Sequence, residues 1–251
     1  MDRSAEIRYV ADLAQVREVS LLGTADLAYW RDWLREEELV PAERERKAQI
    51  LVTTGKMKFK GVRFTEVSFS VLVEGRASHA WRDQALLLRA YNSFRFFAFC
   101  ERVLFATPYD HADCSIATDL PVSIRVSKGG QWVFRAELRL DAAHSKREPS
   151  ATEEHGWNGP VFLPNAPRAD PGQGRFFFAR IRGHTRFYPF LSPGDLMTIS
   201  PARDTPVLQA LVDSHFCPEQ WIVRPEAAHA KSKTYRRSDP ILIAAAAPAS
   251  M

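Results

Sequence analysis

The feature that most constrains the fold is a long alternation of residues between Lys56 and Val73. A period of two is typical of a β-strand, because successive side chains of a strand point to opposite faces. One face carries Val62, Phe64, Glu66, Ser68 and Leu72, and the other carries Val67, Phe69, Val71 and Val73. We predict one long strand, or two strands divided by a bulge at Gly61.

Shorter alternating or apolar runs predict further strands at 85–91, 114–117, 121–126 and 131–140, and a last strand beginning at Trp221. Gly129 and Gly130 lie between two of them and predict a hairpin turn, since glycine adopts positive φ angles. Helical spacing predicts an amphipathic helix over 26–40 and a polar one over 42–48, and Thr205-Pro206 begins a third.

Two other segments have a distinct composition. We interpret the apolar window 94–106 as part of the core. The segment 141–174 is rich in polar residues, proline and glycine, which predicts an extended surface excursion and a candidate lid. The alanine-rich end predicts a flexible tail over 241–251 that follows a single domain over 1–240.

Many short strands, few helices and no regular strand–helix alternation indicate an α+β fold. We expect a mostly antiparallel β barrel or double-layered cone with two or three peripheral helices. The 251 residues are 45% apolar and 25% charged, as in ordinary globular proteins.

Charge, cysteine content and hydropathy bound the possible partners and location. The net charge is only +4, and the basic stretch from Arg224 to Arg237 is interpreted as a solvated last strand and tail, with a phosphate or nucleic-acid patch as the alternative. Three widely spaced cysteines favour a reducing compartment. No secretory leader or stretch of roughly 18 apolar residues is present, so we expect a cytoplasmic protein that binds neither nucleic acid nor membrane.

The common cofactor and hydrolase fingerprints are absent: there is no GxGxxG, Walker loop, GxSxG or HExxH motif. His111 and Asp113 are two residues apart, but no third metal ligand accompanies them. We therefore expect neither a cofactor nor a metal.

The segment Glu101–Pro108 resembles acetoacetate decarboxylase, whose corresponding segment carries a similar charged pair, a leucine, an alanine and the same proline. Matching spacings continue upstream and downstream, so that the resemblance covers roughly positions 18 to 235. The further matching residues are Asp83, Leu87, Tyr91, Thr205-Pro206-Val207, Val212-Asp213-Ser214-His215, Trp221-Ile222-Val223-Arg224-Pro225 and Tyr235. The resemblance implies a barrel of the decarboxylase type, a small-molecule substrate and a homo-oligomer.

The chain departs from that family where the family's chemistry is carried. In the decarboxylases two lysines follow the proline and one forms a Schiff base, whereas Tyr109 and Asp110 follow Pro108 here, and neither can form an imine. Gly23 lies where the resemblance would place a substrate-binding arginine. Decarboxylation through an imine at this position is therefore not expected.

The residues that replace the lysine pair carry other chemistry. His111 is a candidate acid or base, Asp110 could fix its tautomer, and Tyr109 is a candidate donor to a developing oxyanion. Glu66 lies in an apolar strand, where burial would raise its pKa and suit it to be the counterpart acid or base. The alternatives are a polar loop that only replaces the lysines and a simple ion pair at Glu66.

Arg102, Trp157 and Tyr91 are the candidate substrate-binding residues. Alternatively, Arg102 pairs with Glu101, and Trp157 attaches a loop to the barrel. Lys56, Lys58 and Lys60 share parity with Glu66, which leaves open a relocated imine lysine, although such a row is typical of a solvated strand face.

The function predicted from these residues is a small-molecule enzyme of lyase, dehydratase or isomerase type. It would use acid–base chemistry on a carbonyl or carboxylate metabolite without a Schiff base. Two alternatives stay open: a non-catalytic binding barrel, and a Schiff-base decarboxylase that uses Lys58 or Lys60.

Overall fold

The computed structural model describes residues 7–74, 81, 83–139, 147–165, 174–192, 194–202 and 205–244. The strands within these ranges are β1 (Tyr9–Asp26), β2 (Val40–Pro41), β3 (Glu43–Arg44), β4 (Lys47–Phe59), β5 (Val62–Glu74), β6 (Ala85–Asn92), β7 (Tyr109–His111), β8 (Asp113–Ala117), β9 (Ser123–Lys128), β10 (Gln131–Glu137), β11 (Ala151–Phe162), β12 (Arg175–Pro189), β13 (Leu196–Ile199), β14 (Cys217–Ser232) and β15 (Tyr235–Arg236). The helices are α1 (Leu27–Arg35), α2 (Arg95–Leu104), α3 (Pro206–Asp213) and the single turn α4 (Ile241–Ala244).

Seven strands form a closed ring. β5, β4, β1, β14, β12, β11 and β6 hydrogen-bond in that order, and β6 pairs back with β5. The neighbours are antiparallel except β11 and β6, which are parallel, and β7 adds to β6 in parallel as well. The predicted α+β barrel with peripheral helices is confirmed, and its sheet is mixed rather than strictly antiparallel.

A second sheet, ordered β13, β10, β9, β8, forms the other layer. Val67, Phe69 and Val71 of β5 are buried in the core that the two sheets share, where the ring of Phe69 lies 5.4 Å from that of Phe134. The alternate residues of β5, Glu66 among them, line the interior of the ring. The predicted division of this segment into two faces is therefore confirmed.

Small side chains on neighbouring strands keep the interior of the ring open. Ser20, Thr53, Gly55, Ser68 and Ser70 all point inward from β1, β4 and β5. Barrels of this size are usually filled by larger side chains packed at crystal-like density. Because these five residues are small, a chamber of about 540 Å³ remains open inside the ring.

Several local predictions were wrong. The predicted helix over 42–48 is the turn between β3 and β4, where Glu45 and Arg46 have positive φ. The segment 56–73 is two strands divided at Gly61, as the alternative had it, but a hairpin turn and not a bulge divides them, because the chain reverses at Lys60 and Gly61, both with positive φ.

The apolar window 94–106 is not core. It forms α2, whose outer face exposes Phe99 and Val103, because a helix in contact with the barrel on one side leaves its other side in solvent. The predicted excursion over 141–174 contains β11, a strand of the ring; residues 141–146 and 166–173 of that prediction lie outside the described part of the chain.

The predicted tail begins too early. Ile241 and Leu242 are buried, and the indole of Trp81 donates a hydrogen bond to the carbonyl oxygen of Leu242 at 3.0 Å. Residues 245–251 of the predicted tail lie outside the described ranges. Among the helices that the structure describes, none combines the length and the hydropathy that a membrane span requires.

Candidate functional site

The chamber inside the ring has a polar wall and an apolar wall. Strands β1, β5, β7, β11 and β14 bring charged and hydrogen-bonding side chains to it, while α2, the end of β4 and the start of β5 add aromatic and aliphatic ones. The polar side chains form two groups, one around Glu66 and one around Glu18.

In the first group a phenol and a carboxylate share a hydrogen bond. β7 lies beside β6 and β6 beside β5, so that Tyr109 and Glu66 meet across the intervening strand. The Tyr109 hydroxyl donates to Glu66 Oε1 at 2.6 Å, and the Asn92 amide lies 3.4 Å from Glu66 Oε2. Oε2 is therefore the less committed acceptor, and Glu66 lines the chamber.

The surroundings move the pKa of both groups upward. Burial raises the pKa of Glu66, and the negative charge of Glu101 raises it further, against the hydrogen bond from Tyr109 and the charge of Lys231. Burial and the adjacent carboxylates hold the pKa of Tyr109 well above its ordinary value. Tyr109 therefore stays protonated at neutral pH, and Glu66 is shifted toward the range of a usable acid or base.

A lysine amine lies in the same group. Lys231 of β14 is paired with Glu101 of α2, and the side chains are only 18% and 20% exposed. The Lys231 Nζ lies 4.7 Å from the ring centre of Phe177 and 5.3 Å from that of Tyr109. Thr107 also donates to the Glu101 carboxylate at 2.8 Å. An ammonium held against aromatic rings is favoured by their electrostatics, so this cation is fixed beside the Tyr109–Glu66 pair.

The second group is built on Glu18. Its carboxylate is paired with Arg224, accepts from Ser20 at 3.0 Å, and lies 2.7 Å from His229 Nε2. Because an ionised carboxylate only accepts, His229 carries its proton on Nε2. Burial alone would raise the pKa of Glu18, but Arg224 and His229 outweigh it and hold the pKa below the ordinary value.

Arg224 ties this group to the barrel wall. It is 4% exposed and donates to Thr185 Oγ1 at 2.9 Å and to His155 Nδ1 at 3.0 Å, besides its pairing with Glu18. These partners lie on β1, β11 and β12, so one guanidinium cross-links three strands to β14. A charge so fully paired is typical of a structural role.

Taken together, the chamber can exchange a proton at Glu66 and stabilise a developing negative charge with Lys231. Within the described ranges no group of three or more His, Cys, Asp or Glu residues has the arrangement of a metal site.

The predicted site residues divide between the chamber and other places. Glu66, Tyr109 and Trp157 line the chamber. His111, Asp110, Arg102 and Tyr91 are not among its lining residues. Glu66 and Tyr109 are thus brought together, while His111, the predicted acid or base, lies apart from both.

Each residue outside the chamber has a different environment. Asp110 pairs with Arg89 at 3.1 Å. It also lies 3.9 Å from Arg102, which is 62% exposed. Arg102 thus lies near Asp110, and the alternative interpretation, in which Arg102 pairs with Glu101, was wrong. Tyr91 is fully buried in the core beside Phe69. A strand alternates its faces, so Asp110 points away from Tyr109.

Four residues of the chamber were not predicted as site residues: Lys231, Glu101, Glu18 and His229. Lys231 and Arg224 were assigned to a solvated strand, yet Arg224 is buried and Lys231 faces the chamber. The signal was the alternation of charged with small residues along β14, where Ala228 and Ala230 separate His229 from its neighbours. Of the predicted imine candidates, Lys60 is an exposed residue on the chamber wall, while Lys56 and Lys58 line a separate surface depression.

Gly23 cannot carry the arginine that the resemblance would place there. A β-carbon at Gly23 would lie 2.2 Å from the carbonyl oxygen of Cys217 on the paired strand, closer than any real contact. The close approach of β1 and β14 at this point therefore requires glycine.

No protein-family model and no curated protein match the chain. Its structure is similar to that of an acetoacetate decarboxylase, with a TM-score of 0.60 and 13% identity over 91% of this chain and 90% of that one. For the acetoacetate decarboxylase of Legionella pneumophila the values are 0.61, 10%, 91% and 87%. The enduracididine biosynthesis enzyme MppR complexed with pyruvate gives 0.60 and 12% over 94% of each chain. The resemblance seen in the sequence is thus confirmed at the level of the fold.

Proposed function

We propose that this barrel with the acetoacetate decarboxylase-like fold is an enzyme that acts on a small carbonyl compound by acid–base chemistry inside the chamber. The observation that carries the proposal is the 2.6 Å hydrogen bond between Tyr109 and Glu66, two groups with raised pKa values on the chamber wall. Enzymes place such perturbed, paired groups where protons are transferred.

The proposed reaction begins with Glu66. Its carboxylate takes a proton from the carbon next to the substrate carbonyl; the C–H electron pair forms a C=C bond, and the carbonyl π electrons move to oxygen. Lys231 supplies the positive charge that stabilises this enolate oxygen. Tyr109 orients the carboxylate by holding Oε1, so that Oε2 faces the substrate.

The test is proton exchange in heavy water. We expect the protein to catalyse deuterium incorporation next to the carbonyl of ketones or oxo acids. Proton NMR measures this as the loss of the signal of the exchanging protons. Glu66→Gln should lower the exchange by about 100-fold, because an amide is not a base. Glu74→Gln makes the same change at an exposed position of the same strand and should leave it intact. Binding of carbonyl compounds without exchange in any of them would contradict the proposal and favour a non-catalytic binding barrel.

A second candidate function has an observation of its own. The amine of Lys231 lies on the chamber wall among three aromatic rings, those of Phe105, Tyr109 and Phe177, and a lysine amine can form an imine with a keto acid. Borohydride reduction with acetoacetate should then leave a mass adduct that Lys231→Met removes and Lys233→Met, at an exposed position, retains. An unmodified wild-type mass would exclude this route.

The expected homo-oligomer, the cytoplasmic location and the organisation as a single domain stay predictions.

A further inference from the structure

The chamber is much more apolar than a short oxo acid needs. On the side of α2 its wall is aromatic: the ring of Phe97 packs edge-on against Phe64 at 4.9 Å and lies 6.2 Å from Phe59, and all three line the chamber. Leu104 and Phe105 extend this wall toward Lys231. At about 540 Å³ the chamber lies within the roughly 300–1,000 Å³ range of pockets that enclose ligands of drug size.

The polar wall has no surplus positive charge. Lys231 is paired with Glu101, and Arg224 is paired with Glu18, which also faces His229. Glu66 adds a third carboxylate to the same wall. A substrate carboxylate beside ionised Glu66 would add a further negative charge to this wall, and burying such a charge without a partner is costly. The enolate does not add one, because it forms only as Glu66 takes up a proton, so that Lys231 faces no more negative charge than before.

Two other cations line the chamber, and neither belongs to this wall. Lys60 is exposed and lies over the ring of Phe59, and the guanidinium of Arg180 lies 4.7 Å from the ring centre of Tyr9. Within the described part of the chain, no hydrogen bond joins either of them to Glu18, Glu66 or Glu101. They do not supply the missing charge where the reaction is proposed.

We infer that the substrate is an uncharged carbonyl compound with a long apolar body, such as a medium-chain ketone, ester or lactone, and not a short oxo acid. The carbonyl lies between Glu66 and Lys231, and the apolar body lies along Phe64, Phe97 and Leu104. This inference rests on the proposed function and narrows its substrate class.

The experiment compares ligands that differ in the charge of the head group and in chain length. Binding to the wild-type protein is measured by calorimetry for a medium-chain methyl ketone, the fatty acid of the same length, and acetoacetate; the proposed proton exchange returns the ketone to itself and does not consume it. At mildly alkaline pH both acids are ionised. We expect the ketone to bind about 100-fold more tightly than either acid, because only the acids bring an unpaired charge.

A chamber-filling variant locates the binding. Ser68→Leu adds an apolar side chain inside the ring and should abolish ketone binding, whereas Ser115→Leu makes the same change on an exposed strand and should not. Circular dichroism verifies that both variants are folded, and the ligand comparison does not depend on either.

Equal or tighter binding of either acid would overturn the inference, as would ketone binding that survives in folded Ser68→Leu. If oxo acids bind and undergo exchange, the proposed function stands and this substrate class is wrong. If the ketone binds selectively but wild-type protein exchanges none of its protons, the ligand class stands and the proposed enzyme activity is wrong.

Discussion

Glu18 and Glu66 line the same chamber, and their surroundings move their pKa values in opposite directions. Burial raises both. Glu18 is paired with Arg224 and accepts from His229 and Ser20, which overcome the effect of burial. Glu66 has a neutral phenol as its close partner and Glu101 as a like-charged neighbour. The partners of a carboxylate, and not its burial, therefore determine whether it stabilises the fold or can exchange protons.

The largest effect is expected on stability when the Glu18 group is disrupted. Glu18→Gln leaves Arg224 buried without its counter-charge, and removal of one member of such a pair costs about 3–5 kcal/mol. Chemical denaturation measures the loss, with Glu226→Gln, an exposed site on β14, as the matched control. A loss below about 1 kcal/mol would mean that Glu18 has no structural role beyond that of a surface carboxylate.

The next effect separates the two groups by activity. Glu66→Gln should lower proton exchange by about 100-fold, in the range for loss of a general base. Its free energy of unfolding at neutral pH should change by no more than about 1 kcal/mol, because the amide still accepts from Tyr109. A variant that keeps its exchange activity, or one that unfolds, would remove the distinction between the two carboxylates.

The two carboxylates should also give opposite dependences of stability on pH. Glu18 has a lowered pKa in the folded state, so its contribution is present above the ordinary value and is lost as the pH falls through the lowered one. Glu66 has a raised pKa, so its contribution is present below the ordinary value and is lost as the pH rises through the raised one.

Denaturation at a series of pH values tests this opposition. The stability of Glu66→Gln relative to wild type should rise as the pH rises through the raised pKa of Glu66. The deficit of Glu18→Gln should shrink as the pH falls through the lowered pKa of Glu18. Parallel curves for the two variants would show that their environments do not differ in the proposed way.

A smaller effect is expected when the hydrogen bond from Tyr109 to Glu66 is removed. Tyr109→Phe removes one hydrogen bond, worth about 1 kcal/mol. Since that bond lowers the pKa of Glu66, its loss should raise this pKa further and move the acidic limb of the exchange–pH profile upward. An unmoved profile would mean that Tyr109 does not tune the base.

The smallest effect is expected outside the chamber. His111→Ala should change stability by no more than about 0.5 kcal/mol and leave the exchange rate unchanged, because His111 is not a lining residue. Loss of exchange in this variant would restore the interpretation of His111 as the acid or base.

The sequence predicted the barrel and one half of the site. Alternation over β5 assigned Glu66 correctly to the face opposite Phe69, since strand parity is a local property. The resemblance assigned Tyr109 to the site because Tyr109 directly follows the shared proline, Pro108. His111 was wrong as a chamber residue because parity gives a face of the strand but not how far along that face the chamber extends.

Lys231 and Glu101 could not be paired from the sequence. They are 130 residues apart, and their contact depends on how α2 packs over the end of β14. The same limit applies to Glu18 and Arg224, which meet because β1 and β14 are neighbours in the ring. Local patterns determine faces, whereas the closure of the ring determines which faces meet.

The opposite roles of Glu18 and Glu66 can be tested by measuring the pKa values of their carboxyl groups. A carbon-13 NMR titration of glutamate-labelled protein, assigned with Glu18→Gln and Glu66→Gln, measures both in one sample. We expect the carboxyl of Glu66 to titrate above the ordinary range for glutamate and that of Glu18 below it. A Glu66 carboxyl that titrates at or below the ordinary value would show that Glu66 is not set apart as the acid or base.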